Sequence, residues 1–162
     1  MKPLLLIMIF AIFASPVLAQ VDAMRVQAFV LAKEAAGQPD KTAADVEAYL
    51  AFLTEDVSDV HVVYGVTLDG KEKIRSTHLE STRVKFEFRL GIESITMGTN
   101  VAIVEYIESS QYVRRDELVD FTGRTILVME FNDAGAVHHM RRYLDTANVT
   151  RKATPCSESD LC

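Results

Sequence analysis

The densest set of chemistry-bearing residues in this 162-residue chain lies near its C-terminal end, at residues 137–145. If that stretch is a strand, alternation puts Val137, His139, Arg141, Tyr143 and Asp145 on one face and His138, Met140, Arg142 and Leu144 on the other. Turned into a cavity, His139, Arg141 and Asp145 would polarise a carbonyl or epoxide oxygen or position a water. Turned outward, the same row makes a polar dimer face or a solvated strand edge, because buried charge without a partner is costly. Two carboxylates stand among β-branched neighbours: Glu130 shares a face with Val128, Ile126 and Arg124, and Glu105 alternates with Ile103 and Ile107. Desolvation would raise such a carboxyl pKa and suit it to proton transfer, whereas a cross-strand arginine would simply pair with it. Tyr64, Tyr106 and Tyr112 are phenolic donors for a pocket, or packing.

Other site types are excluded or weak. The chain has no phosphate-cradling glycine loop, no serine elbow and no cysteine within its central part. His138 and His139 are adjacent and cannot both face one metal from a regular strand, and no histidine–carboxylate spacing suggests zinc. No metal and no cofactor are therefore expected. Cys156 and Cys162 match no thiol-redox or zinc pattern and are expected to form a short local disulfide that pins the tail. Asn148-Val149-Thr150 is a glycosylation sequon in a eukaryotic host or a chance match.

The N-terminus has the three-part layout of an export signal: Lys2, an apolar run from Leu4 to Phe13, and Val17 and Ala19 placed for cleavage after Ala19. The run is about half the ~20 residues needed to span a bilayer, and no second long apolar run follows. The expected organisation is a signal peptide over residues 1–19, one domain over 20–148 and a loose tail over 149–162, in a secreted or periplasmic protein without a membrane span once the signal is removed. Lys2 is the single charge lost with the signal, so the formal charge goes from -6 to -7. That acidic balance disfavours nucleic acid, since the adjacent arginine pairs are limited to Arg114-Arg115 and Arg141-Arg142.

These residues need elements to hold them. Met24, Ala28, Leu31, Ala32 and Ala35 recur at helical spacing and predict a helix over 21–36, stopped by Gly37-Gln38-Pro39-Asp40. Thr42, with Asp45 three residues on, reads as the cap of a second helix carrying Val46, Tyr49, Leu50 and Leu53. Alternating valines predict a short strand over 57–65, and Asp69-Gly70 a turn into a third helix over 71–82. Four long strands follow, at 85–97, 101–114, 118–132 and 136–145, with bends at Gly91 and Gly123. Helices first and a meander afterwards argue for α+β, with three N-terminal helices packed on the concave face of a curved antiparallel sheet.

Two stretches carry a family resemblance. Phe52-Leu53-Thr54-Glu55-Asp56-Val57-Ser58-Asp59-Val60-His61, followed by Gly70-Lys71-Glu72-Lys73-Ile74-Arg75, resembles the acidic turn, short strand and helix of the nuclear transport factor 2-like superfamily, in its SnoaL-like polyketide cyclase and ketosteroid isomerase-like branch. Val128-Met129-Glu130-Phe131-Asn132-Asp133-Ala134-Gly135-Ala136-Val137, then Arg141-Arg142-Tyr143-Leu144-Asp145, resembles that branch's last hairpin. The resemblance implies a cone-shaped, cystatin-like sheet closing over an apolar cavity, and it places His61 where ketosteroid isomerase-like members carry an acidic general base. Histidine there is a departure: it is a base at neutral pH, or a packed residue with one satisfied nitrogen.

Functions do not follow from such a fold. The leading expectation is an exported domain binding a small apolar or partly oxygenated molecule in an apolar pocket, with or without chemistry. Its alternatives are a cofactor-independent isomerase, cyclase or dehydratase, with His61 as base and Tyr64, Arg141 or Asp145 as positioning groups, and a homodimeric interaction module. Tyr64, Tyr106, Glu130, His139 and Tyr143 are the expected ligand contacts.

Overall fold

The computed structural model describes residues 21–80 and 85–158. The expected signal at 1–19, the end of the expected third helix at 81–82 and Cys162, one partner of the expected disulfide, lie outside them.

Asp22 accepts the Arg25 amide at 2.8 Å and starts α1 (Ala23–Ala35). The helix buries Val26, Phe29, Val30 and Lys33, whose spacing makes one continuous face. Of the stripe expected to be buried, Met24, Ala28 and Leu31 turn outward, while Ala32 packs against the core. Both stripes have helical period; the one with the aromatic ring removes more area from water and therefore wins the core. Phe29 meets Tyr49 and Phe52 with ring centroids 5.4 and 5.9 Å away. Beyond α1, a Cβ at Gly37 would stand 2.3 Å from the Phe88 ring, so glycine is what lets the chain approach the sheet there.

Thr42 and Asp45 form the reciprocal cap of α2 (Ala43–Leu50): the Thr42 amide donates to Asp45 Oδ2 at 2.7 Å and the Asp45 amide donates to Thr42 Oγ1 at 3.2 Å. Leu53 belongs to the next element, β1 (Leu53–His61), so α2 is shorter than expected. A 3₁₀ turn (Val62–Tyr64) and Gly65, at φ 61°, lead into β2 (Val66–Asp69), so the expected single strand is a hairpin. Gly70, at φ 84°, donates its amide to Val57 O at 2.7 Å and turns the chain into α3 (Lys71–Leu79).

The remaining strands are β3 (Lys85–Met97), β4 (Val101–Arg114), β5 (Glu117–Phe131) and β6 (Val137–Leu144). They form an open sheet in the order β2-β1-β6-β5-β4-β3. All neighbours are antiparallel except β1 and β6, which are joined through the rest of the sheet and run parallel. The tail is part of this sheet. Residues 150–155 form β7 (Thr150–Pro155), paired with residues 117–122 of β5 just beyond the reach of β6. The expectation of a loose tail fails because the long β4–β5 hairpin outruns β6 and would leave half of one edge unpaired.

The bends also fall elsewhere. The register shift near Gly91 lies between Ile92 and Ser94, making Glu93 the extra residue, while Gly123 keeps regular pairing. A Cβ at Gly123 would stand 2.9 Å from Leu144 and 3.1 Å from Phe121, so its smallness serves packing rather than bending. At the exposed edge, Glu34 of α1 accepts the Leu90 amide at 2.7 Å and Gln38 donates to Phe88 O at 2.6 Å, which covers part of β3's free hydrogen-bonding row. The helices pack on the face carrying Val104, Tyr106, Leu127, Met129, Met140 and Val57, and this layer is the core.

Candidate functional site

Along β1, alternation turns Val57, Asp59 and His61 to the helix-covered face. The Asp59 side chain is 1% exposed there, beside Arg142 of β6 at 18%. Arg142 donates Nε to Asp59 Oδ1 at 3.0 Å and Nη2 to Asp59 Oδ2, a two-pronged, charge-assisted pair. His61, its side chain 24% exposed, places Nε2 3.6 Å from Asp59 Oδ2. Burial pushes the Asp59 carboxyl up, but the Arg142 charge, the His61 contact and the Arg142 hydrogen bonds outweigh it and hold the group well below the usual carboxylate range. The guanidinium moves oppositely: burial lowers its pKa, and the Asp59 charge more than restores it.

The deeper wall is phenolic. Tyr49 of α2 and Tyr106 of β4 are fully buried, and among the described residues neither hydroxyl has a partner at hydrogen-bond distance, Thr125 of β5 being the polar neighbour of Tyr106. Burial raises both phenol pKa values, reinforced at Tyr49 by the Asp59 charge and at Tyr106 by Glu108 and then Asp59, so both remain neutral donors. Lys33 of α1 is buried as well, with its ammonium 5.4 Å from the centre of the Tyr49 ring. The interior therefore holds a clamped carboxylate, a histidine against it, and two phenols within its field. A clamped carboxylate is a poor base, but it can orient an imidazole and stabilise it when charged. Among the described residues, no group of three or more His, Cys, Asp or Glu side chains is placed to hold a metal ion.

Solved structures share this arrangement of elements. One is a protein with a ketosteroid isomerase-like fold from Catenulispora acidiphila, in complex with trimethylamine, at TM-score 0.57 and 15% identity, covering 71% of this chain and 83% of that one. A protein assigned to the SnoaL-like polyketide cyclases from Shewanella putrefaciens aligns at TM-score 0.64 and 10% identity, covering 78% and 93%. The epoxide hydrolase/cyclase-like enzyme SalBIII, described in pyran ring formation in the polyether salinomycin, aligns at 0.55 and 13%, covering 76% and 89%. The chain has a nuclear transport factor 2-like fold. No protein-family model and no curated protein matches its sequence.

Within this nuclear transport factor 2-like cone, the sequence-predicted residues separate onto two faces. His61 and Tyr106 lie on the helix-covered face, and Tyr64 stands exposed on the β1–β2 turn. Glu130, His139, Arg141 and Tyr143 lie on the opposite face, where Arg141 Nη1 is 3.6 Å from Glu130 Oε1. Asp145 is elsewhere again: it accepts the Ala147 amide at 3.0 Å and Asn148 Nδ2 at 2.6 Å, capping the 3₁₀ turn Thr146–Asn148. Arg141 and Asp145 therefore do not join His61. The cause is a one-residue bulge. Glu130 pairs with His139 and Phe131 with Val137, so His138 is the extra residue and the alternation reverses across it. Val137, Met140 and Arg142 then face inward, against the expected grouping.

Asp59, Arg142, Tyr49 and Lys33 are the site residues that sequence reasoning misses. Asp59 carries a visible signal, since it sits two residues from His61 on a strand. Arg142 falls on the face grouped with Met140 and Leu144, and neither Lys33 nor Tyr49 carries any mark that distinguishes it from other helix residues. The expected apolar cavity is not among the two clefts described. One, of about 360 Å³, is lined by Ile107, Gly123, Arg124, Asp145 and others; the second, of about 570 Å³, by Asn100, Glu130, Phe131, His138 and others. Neither reaches the Asp59 cluster.

Proposed function

We propose that this chain is a small-molecule-binding domain whose polar anchor is the cluster of His61, Asp59, Arg142, Tyr49 and Tyr106. One observation carries the reading: two fully buried phenolic hydroxyls, with no partner at hydrogen-bond distance among the described residues, stand in the field of a clamped Asp59–Arg142 pair. A buried unpaired hydroxyl costs about 1–3 kcal/mol, and an acceptor oxygen on a bound molecule would recover that cost. The molecule is small and apolar or partly oxygenated, and needs no cofactor to be held. The export layout of residues 1–19 supports binding in the cell envelope or outside.

A second reading is supported by the 3.6 Å approach of His61 Nε2 to the carboxylate. With Asp59 as orienting group, His61 would serve as the base in a cofactor-independent isomerisation, cyclisation or dehydration. The opposite sheet face, with exposed Ile103 and Tyr143 beside the Glu130–Arg141 pair, is a candidate surface for a homodimer. Native mass spectrometry of the mature protein, purified gently from its host's secretory compartment, tests the binding reading and the oligomer together. A retained discrete small molecule, lost in Tyr49→Phe/Tyr106→Phe, supports the anchor; retention unchanged in that variant refutes it. His61→Gln should abolish any turnover of that molecule under the second reading.

A further inference from the structure

The site's floor continues along the sheet into an unusual rim. Across the register, His61 pairs with Val66 on one side and with Arg142 on the other, and Asp59 pairs with Leu68 and Met140. Directly paired residues share a face, so Val66, His61 and Arg142 form one row across the concave side. Exposure falls along that row, from 45% at Val66 to side-chain values of 24% at His61 and 18% at Arg142. The row runs from an apolar, wet end to a charged, dry one. The turn above it adds Val62, Val63 and Tyr64, all exposed, with the 3₁₀ turn packed beside β6. Residues 61–68 contain no Lys, Arg, Asp or Glu.

We infer that Val62, Val63 and Val66 are the specificity-determining rim of the anchor site, holding the apolar body of the bound molecule while its oxygen reaches His61. This inference rests on the reading of the cluster as a small-molecule anchor. The occupant follows from continuity: Val62 is the chain neighbour and Val66 the register partner of His61, with Val63 next in the same turn, so a molecule engaging both must present a hydrocarbon body next to a single polar end. An anionic membrane is the poorer occupant, because the rim carries no basic residue to hold it and the chain is acidic overall.

The chain has no tryptophan, so Tyr64→Trp supplies a sole reporter on the rim. Titration of this variant with straight-chain 2-alkanones of six to twelve carbons should give saturable emission shifts, with affinity rising about fourfold per added methylene. Adding Val62→Asp/Val63→Asp should flatten that chain-length dependence while leaving the circular dichroism unchanged. His61→Gln should instead weaken every alkanone by a similar factor and keep the slope. A full slope in the aspartate variant overturns the rim but leaves the anchor. An absence of saturable binding, with the Tyr49 and Tyr106 ring resonances unmoved by any alkanone, overturns the anchor itself. An emission shift of the Tyr64→Trp variant on phosphatidylcholine vesicles, without alkanone saturation, would assign the rim to a lipid surface and overturn the inference.

Discussion

Replacing Arg142 with methionine tests the centre of the molecule, because it removes both guanidinium bonds from a carboxylate that is 1% exposed. Breaking one partner of a buried pair typically costs about 3–5 kcal/mol, a large part of the ~5–15 kcal/mol that holds a domain together. His61 at 3.6 Å offers only a looser contact in place of the lost fork. The pH dependence should also change sign. In the parent protein the Asp59 pKa is held below its unfolded value of about 3.9, so its contribution is present above that pH and is lost as the pH falls through it toward the folded value. In Arg142→Met, burial dominates and raises the carboxyl above the unfolded value. Stability is then greatest below about pH 4 and is lost as the pH rises through the new folded pKa. Urea unfolding of parent and variant at several pH values between about 4 and 7 reads both effects. The double variant Asp59→Leu/Arg142→Met should recover most of the loss and flatten its pH dependence over that range. A single-variant cost under about 1 kcal/mol, or additive losses in the double variant, would refute the buried pair as the organiser of this core.

Tyr106→Phe removes a buried hydroxyl with no partner at hydrogen-bond distance among the described residues, so thermal melting should show an unchanged or raised midpoint; a loss above about 1 kcal/mol would mean the hydroxyl is paired, with Thr125 as its neighbour. Gly37→Ala drives a methyl to within 2.3 Å of the Phe88 ring and should cost about 1–3 kcal/mol by chemical denaturation. Arg115 and Asp116 form the two-residue β4–β5 turn with φ of 54° and 59°, so Arg115→Asn/Asp116→Gly should stabilise the fold by roughly 0.5–1 kcal/mol in the same assay. Deleting residues 150–162 uncovers the edge of β5 at residues 117–122, and size-exclusion chromatography should then show association beyond that of the full chain.

Element order was legible in the sequence because its signals are local. Thr42 and Asp45 cap α2 as read, and β3 and β4 run over the expected residues, since valine and isoleucine alternation needs no knowledge of the partner strand. Faces were less legible. In α1 two stripes of equal period compete, and Phe29 decides between them only once Tyr49 and Phe52 are in place to receive it. The tail read as loose because β7 has few apolar residues, and its stability comes from an unpaired edge that exists only after β5 has outrun β6.

The site shows the same division most sharply. His61 could be placed from its neighbours, but its chemistry depends on Asp59 being clamped by a residue from the far end of the chain. One extra residue, His138, determines which of two adjacent arginines does the clamping. Without that bulge, alternation from Val137 would turn Arg141 inward and leave Arg142 on the outer face, where it could not satisfy a buried carboxylate. The bulge also explains why His139, Arg141 and Tyr143, the richest polar row in the sequence, stand outside the cone. Moving one strand by one position exchanges a catalytic-looking surface for a structural one, and the interior is left with the sparser set: one carboxylate, one histidine, a buried lysine and two unpaired phenols.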